Sequence, residues 1–498
     1  MTALDIIAAA ATTPCHPWPR HVLTPEAWAA MVAALADEPS PELIALWADP
    51  THIHALFHDS EAGRFLPASV AAGGYAALSP HRPAAAWFER MIRDLWGHAA
   101  AEGTDARPWL DHGSWGQAAP LAARPAALAV TPAPPEFLPV DAEDFHQIPL
   151  GPVFGTIGEP AHFRLSAKGE EVLRLEAWLG YAHKGTLGLL RGKSARAAAR
   201  FPPRVSGDAA VAHAVAFARA AEAAAATDPP PRAHAVRAVM AELERIANHL
   251  ADIAALAEAA GFLPLATPAM RQREAVLDAA DAAFGHRMMM DCVIPGGVAA
   301  DLDGGGTDAI RAALAVVDAG LPALARLIDS SSSLADRLAT GAVTPALAAQ
   351  FAAGGPIGRA SGRAFDARTT PGYPPYDSLT LDIPTSRTGD AEARLGIRVA
   401  EIRESQRLLR TLLAALPDGP VAVPLPLASG EGIGWAEGCR GDVWHWLRLE
   451  AGLITAAFIR DPAWLHFPLL ESAMSGGAVS DFPLLAASFG CSVSGVDL

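Results

Sequence analysis

Apolar positions recur along this chain at two different periods, and the changes of period mark its elements. Thr24-Pro25-Glu26 combines a capping residue, a proline for the first helical turn and an early acid, and predicts a helix through Trp28 to Leu35. Ala86 to Gly97 predicts a second helix, with Trp87, Met91 and Leu95 at i, i+4 and i+8 and Gly97 placed to end it. Further on the pattern alternates, over Gly158 to Leu165 and Val172 to Ala177, and Lys168-Gly169 between them predicts two strands joined by a tight turn. Two long helices follow over Ala210 to Glu222 and Ala233 to Ala260, separated by Asp228-Pro229-Pro230-Pro231. Asp390 to Leu416 reads as a long amphipathic helix carrying both signs of charge. Near the end, Trp464, Phe467, Leu469, Leu470, Phe482, Leu484 and Leu485 make the tail apolar enough to be core.

A chain of 498 residues exceeds one ordinary core, so two domains are expected. Gln117 to Pro139 is almost entirely Ala and Pro, a composition that favours an extended, semi-rigid spacer. The boundary therefore falls there, giving a module over 1–116, a linker over 117–139 and a larger domain over 140–498. Apolar residues make up 51 % and charged residues 18 %, which describes a globular, helix-rich chain. A net charge of −16 argues against a nucleic-acid partner. No window of about 18 apolar residues is free of charge and proline, so no membrane span is predicted, and the first residues lack the basic start and long apolar run of a signal peptide. Cys15, Cys292, Cys439 and Cys491 are scattered without a C-x-x-C pair, which suits a reducing compartment and supplies no metal or cluster site by itself.

The chemistry-bearing residues gather around Arg200 to Glu222. There Arg204-Val205-Ser206-Gly207-Asp208 leads into an alanine-rich helix with His213 and Phe217 on one face, and Ser206 or Asp208 is predicted to cap it. In the next helix Glu242, Arg245 and His249 share one side, and the Glu-to-Arg spacing allows an ion pair of only a few tenths of a kcal/mol if exposed. Met288 to Met290 reads as core filler. The Gly354 to Gly362 loop lacks the G-K-[ST] ending and the preceding strand of a phosphate loop.

Arg204, Gly207 and His213 stand as in the first metal-binding motif of nickel-iron hydrogenase large subunits, R-x-C-G-x-C followed by a His-bearing helix, which this stretch resembles. The two cysteine places hold Ser206 and Ala209. In the tail, alignment on Ser488-Phe489 puts the family's other two cysteine places on Ser492 and Gly495, with Cys491 one residue away. A nickel-iron centre needs four soft thiolates; alcohols, a methyl and a hydrogen do not replace them, so no metal is expected. The run from His146 to Gly185 resembles the large subunits of hydrogenase-4 and formate-hydrogenlyase complexes and, more distantly, the quinone-site subunit of complex I. In the latter the loop matching Ala161-His162-Phe163-Arg164 contributes a His to the quinone pocket, which implies His162 as a quinone candidate. Leu187 stands where both relatives usually carry a Glu, which in the hydrogenases passes protons at the metal centre. Ala241 to Leu250 matches the family's A-E-L-x-R-I-x-N-H-L helix, and Arg359 lies in its G-P-x-x-R-A-S-G loop, next to Asp366, Arg368, Tyr376 and Asp377. The ending Gly495-Val496-Asp497 is similar to that of the complex I subunit. Trp87 to Gly97 together with Arg107 to His112 resembles a small soluble subunit of complex I that carries no cofactor.

The resemblance implies an α+β protein, a small α/β N-terminal module ahead of a large, mainly helical-bundle domain with small peripheral β-sheets. It further implies an oxidoreductase subunit of hydrogenase-4-like or NADH dehydrogenase-like assemblies, with NAD binding and quinone binding among the attributes of the assembly. The chain itself would bind no cofactor. Its partners would be an iron-sulfur small subunit with a 4Fe-4S cluster and antiporter-like membrane subunits, holding it on the cytoplasmic side of the membrane. His162, His183, Arg204, His213, Arg359 and Asp497 are the candidates for lining a quinone or coupling cavity. A non-redox scaffold in an ion- or bicarbonate-handling membrane complex, and an active hydrogenase with unusual ligands, stay as alternatives.

Overall fold

In a computed structural model, the N-terminal alternation of apolar residues forms a five-stranded sheet. The structure describes residues 1–498 apart from 37, 114, 128–133, 141–143 and 154–157. The strands are β1 (Ala11–Thr13), β2 (Arg20–Leu23), β3 (Glu42–Ala48), β4 (His52–Asp59) and β5 (Arg64–Ala71), in the order β1-β2-β5-β4-β3. Only β2 and β5 run parallel. Helix α1 (Pro25–Ala34) starts as its residues predict, with the Thr24 hydroxyl accepting from the Ala27 N–H at 3.2 Å. Helix α2 (Ala85–Trp96) packs against β3 and ends at Gly97, whose φ of 78° closes it in the left-handed region.

The Ala/Pro segment is not extended throughout. Gln117-Ala118 pairs antiparallel with Ala126-Ala127, while residues 128–133 of the expected spacer lie outside the described residues. The predicted two-strand unit is β7 (His162–Lys168) and β8 (Glu171–Trp178), with β6 (His146–Leu150) added at its edge. His162, in the predicted first strand though matched to a loop of the complex I relative, is the first residue of β7 and pairs with Trp178.

The larger part is built on α3 (Ala210–Ala224), α4 (Pro231–Ala259), α5 (Leu263–Phe284), α6 (Gly304–Asp329) and α7 (Ala391–Ala414). Helix α4 packs against α5 and α7, and α5 against α6. The C-terminal meander β9 (Gly430–Gly438), β10 (Gly441–Glu450) and β11 (Leu453–Arg460) lies on α3. Helix and strand approach closely because small residues meet there: a Cβ at Gly432 or Gly434 would stand 2.1 Å from the carbonyl of Ala220 or Ala216. The sequence around Gly354, read as a loop, is a short helix, Gly355–Ala360, with Pro356 in its first turn. Helices α8 (Ala463–Met474), α9 (Phe482–Phe489) and α10 (Val493–Asp497) carry the apolar tail into the core, as expected.

The core continues from the N-terminal sheet to the meander. Trp18 stacks on both Phe65 and Trp435, at 5.1 and 4.9 Å between ring centroids, and Arg460 donates to the Ile44 carbonyl at 3.1 Å. Stacked pairs of this kind add about 0.5–1.5 kcal/mol each beyond the burial itself, more than an exposed ion pair such as Arg311–Asp308 contributes. Among the described residues no helix is long and apolar enough to cross a membrane.

Candidate functional site

Two of the positions that hold serine in place of cysteine meet in space. Ser206 follows a 3-10 turn at Pro202–Arg204, Ser492 caps α10, and their buried hydroxyls are hydrogen-bonded at 2.9 Å. The Ser206 hydroxyl also reaches the Asp208 carboxylate, and Ser492 Oγ accepts from the Gly495 N–H at 3.1 Å. A Cβ at Gly495 would lie 2.5 Å from Cγ of Asp461, so the Asp461 carboxylate occupies the space a larger side chain at 495 would need. Ala209 contributes a buried methyl at the N-cap of α3. Neither Ser206 nor Asp208 caps that helix, contrary to expectation. Glu244 of α4 does so from outside, its carboxylate accepting from the Val211 and Ala212 N–H groups at 2.7 and 3.1 Å. Burial pushes that carboxyl up to about 8.

Asp461 continues into a buried relay. His213 Nε2 lies 3.0 Å from Asp461 Oδ2, and His213 Nδ1 lies 3.1 Å from His445 Nε2. Burial first, and then the neighbouring His213, hold His445 well below the usual histidine range, so it is neutral. One assignment satisfies the contacts: His445 donates to His213, which donates to Asp461. His445 Nδ1 is then an unprotonated ring nitrogen, buried without a partner.

The A-E-L-x-R-I-x-N-H-L helix and Arg359 build one network rather than an exposed pair. Arg359 donates to Glu401 at 2.7 Å, Glu437 at 2.9 Å, Asp366 at 3.3 Å and the Phe365 carbonyl at 3.0 Å. Arg368 joins Asp366 to Glu242, which also accepts from Arg245, the Tyr376 hydroxyl and the Ser405 hydroxyl. His249 binds Glu401 at 2.7 Å. Here Arg245, Arg359 and Arg368 face Glu242, Asp366, Glu401 and Glu437, all buried. Three cations do not balance four carboxylates, and burial, then Asp366, pushes Glu437 up to about 7.

His183 belongs to a second cluster. Its Nδ1 lies 2.6 Å from the main-chain oxygen of Asp497, and its ring stacks on Trp115 at 5.2 Å. The Asp497 carboxylate accepts from the Gly180 and Ala182 N–H groups, each at 2.7 Å, yet burial pushes it up to about 7. Beside them is a cavity of about 320 Å³ lined by Leu95, Trp115, Leu121, His183, Leu187 and Leu498. Leu187 lies in its wall. Sequence reasoning missed Leu95, Trp115 and Leu121 as lining residues; the lone aromatic Trp115 ahead of the Ala/Pro stretch was the available signal.

The other candidates do not join this cavity. His162 Nε2 is buried without a partner, 5.5 Å separates its ring from that of Phe137, and the residue is not in the cavity wall. Arg204 turns outward into a half-exposed ion pair with Asp291 at 2.7 Å. Thus His183 and Asp497 come together, His213 sits beneath the serine pair through Asp461, and Arg359 is enclosed by carboxylates.

Residues 260–431 match the family described as Respiratory-chain NADH dehydrogenase, 49 Kd subunit. The chain is 30 % identical to the carbon monoxide-induced hydrogenase of Rhodospirillum rubrum over 348 residues, 69 % of this chain and 96 % of that one. It is 27 % identical to formate hydrogenlyase subunit 5 of Escherichia coli (strain K12) over 431 residues, 83 % of this chain and 75 % of the relative. To an NADH-quinone oxidoreductase subunit of Gluconacetobacter diazotrophicus it is 32 % identical over 281 residues, 56 % of this chain and 68 % of the relative. Its fold is similar to that of a chain in the membrane-bound sulfane sulfur reductase, an archaeal respiratory membrane complex. The TM-score is 0.68 at 23 % identity, covering 72 % of this chain and all of that one.

Proposed function

The chain belongs to the family of the respiratory-chain NADH dehydrogenase 49 Kd subunit and its hydrogenase relatives, and from that premise we propose a soluble-arm subunit that has given up the metal centre. It docks, in this reading, on a small subunit carrying a 4Fe-4S cluster and is held at the cytoplasmic face of the membrane by antiporter-like subunits. The observation that carries the loss of the metal is the Ser206–Ser492 hydrogen bond with Asp461 beneath Gly495. Two hydroxyls, a methyl and a hydrogen present no thiolate, and their space is already filled by mutually bonded groups. A nickel-iron pair does not fit these residues.

A quinone fits the His183 cavity better than it fits His162. Burial holds His183 below the usual histidine range, so its ring is neutral, and the Nδ1–H is committed to the Asp497 carbonyl. Nε2 is left as an acceptor and would take a hydrogen bond from a hydroquinone hydroxyl. Trp115, Leu121 and Leu187 would pack against the ring. A bound quinone would supply a two-electron, two-proton acceptor.

One observation favours the scaffold reading. Leu187 gives the cavity no proton-passing group, the Ser492 hydroxyl donates to Glu159 at 3.3 Å, and Asp461 fills the space beside Gly495. A mild-detergent pull-down of the tagged chain from membranes, with iron, nickel and quinone determined on the captured assembly, separates the readings. Iron and quinone without nickel, together with membrane subunits, is the expected result. Membrane subunits alone support the scaffold, and stoichiometric nickel overturns both.

A further inference from the structure

Between α3 and the cis-proline turn at Pro374-Pro375 lies a cavity of about 400 Å³, none of whose lining residues belongs to the serine cluster. Its charged centre is Arg219. The guanidinium carbon stands 4.5 Å from the Trp435 ring and 4.6 Å from that of Tyr373, and no described residue accepts a hydrogen bond from the guanidinium. Nε is buried without a partner. Two aromatic rings lie against the cation, so its hydrogen-bonding capacity remains in its own plane, directed at whatever shares the cavity. A buried guanidinium N–H with no acceptor is costly unless something in the cavity accepts from it.

The other polar groups of the cavity define what that something is. Glu222 is spoken for: it accepts from Arg237 at 2.5 and 3.1 Å and from the Gly296 N–H at 2.8 Å. Burial first, then Arg237, holds His234 down at about 4, so it is a neutral donor or acceptor. Asp228 lines the cavity and is solvent-exposed. The cavity therefore offers one uncommitted cation and one carboxylate that repels a dianion. Ala223, Pro374 and Ile433 supply an apolar wall.

We infer that this cavity is a binding site for a monocarboxylate with a short apolar body, its carboxylate paired in-plane with Arg219 and its body against Ala223, Pro374 and Ile433. The planar fork of the guanidinium matches a carboxylate as an ammonium does not. Because Tyr373 also accepts, through its hydroxyl, from the Glu437 N–H at 3.2 Å, the site abuts the Arg359 network.

Butyrate is the probe, with butyramide as its uncharged isostere and inorganic phosphate as the competing anion, each titrated into the full chain by calorimetry. The expected result is saturable binding of butyrate, with butyramide and phosphate at least about tenfold weaker, the loss expected for one charge-assisted hydrogen bond. Butyramide binding as tightly as butyrate, tighter phosphate, or no butyrate binding overturns the site. Arg219→Lys should lower butyrate affinity by about tenfold or more. Ala223→Leu, which adds bulk to the apolar wall one turn from Arg219, should abolish binding. Unaltered affinity in either folded variant also overturns the proposal, and the comparison of butyrate with butyramide on the unaltered chain decides it without any variant.

Discussion

The hydroxyls of Ser206 and Ser492, 286 residues apart in sequence, are hydrogen-bonded to each other at 2.9 Å. The contact turns two isolated replacements into one local structure. Asp461, against Gly495, is the third part of it.

Restoring a side chain at the glycine should therefore be harmful where restoring a thiol at the serine is not. Gly495→Cys must push Asp461 away from His213, and overpacking of this kind costs about 1–3 kcal/mol. Ser492→Cys should cost less. Thermal unfolding of the two variants checks the order, and equal midpoints would refute the filled-space account.

Loss of charge at Arg359 should cost more than loss of charge at Glu437. Arg359→Met leaves buried carboxylates uncompensated, and breaking such a network costs about 3–5 kcal/mol. Both oxygens of Glu437 accept, from Arg359 at 2.9 Å and from the Ala367 N–H at 2.9 Å, so Glu437→Gln turns an amide NH2 toward one of these donors and should cost about 1–3 kcal/mol. Denaturant unfolding distinguishes these outcomes.

Asp497 gives the pH dependence. Its folded value is raised to about 7 from an ordinary 3.8, so between those values the folded chain binds more protons than the unfolded one. Stability then falls as pH rises through this window. Glu437 and Glu471, each raised to about 7, act in the same direction. His54 and His234, each held down at about 4, and His466, held at about 3, act in the opposite direction below the ordinary histidine range. The readout is therefore the difference between the unaltered chain and Asp497→Asn, whose urea midpoint should fall less from pH 5 to pH 8. An unchanged slope in the variant would rule out the assignment.

Filling the His183 cavity should remove quinone from the captured membrane assembly. Leu187→Trp adds bulk in its wall without altering His183. Quinone per chain is the readout, with His162→Ala expected to leave it unchanged. Loss of quinone in His162→Ala with retention in Leu187→Trp would move the site to β7.

Much of the fold is legible because its signals are local. Thr24 with Pro25 starts a helix and Gly97 ends one by chemistry within a few residues, and Asp390 caps α7 in the same way. The cap of α3 is hidden from such a reading because its acceptor, Glu244, comes from another helix. The short helix at Gly355 is hidden because glycine and proline usually mark a loop, although Pro356 suits a first turn. At the site, Ser206 and Ser492 can be found from two spaced motifs, but Asp461 carries no sequence signal. Its role, in the turn between β11 and α8, depends on the empty side of a glycine 34 positions later in α10. Arg204 keeps its place in the motif while its side chain follows Asp291 to the surface.

The stack of Trp18 on Phe65 and Trp435 has a consequence for how the chain is made. The ribosome delivers Trp18 and Phe65 early and Trp435 only near the end. At translation rates of about 5–20 residues per second, the early pair waits roughly 20–80 s for its partner. During that interval an aromatic face of the N-terminal sheet has nothing to cover it. Synonymous codon changes that slow elongation between β5 and β9 should lengthen the exposure and lower the yield of intact protein.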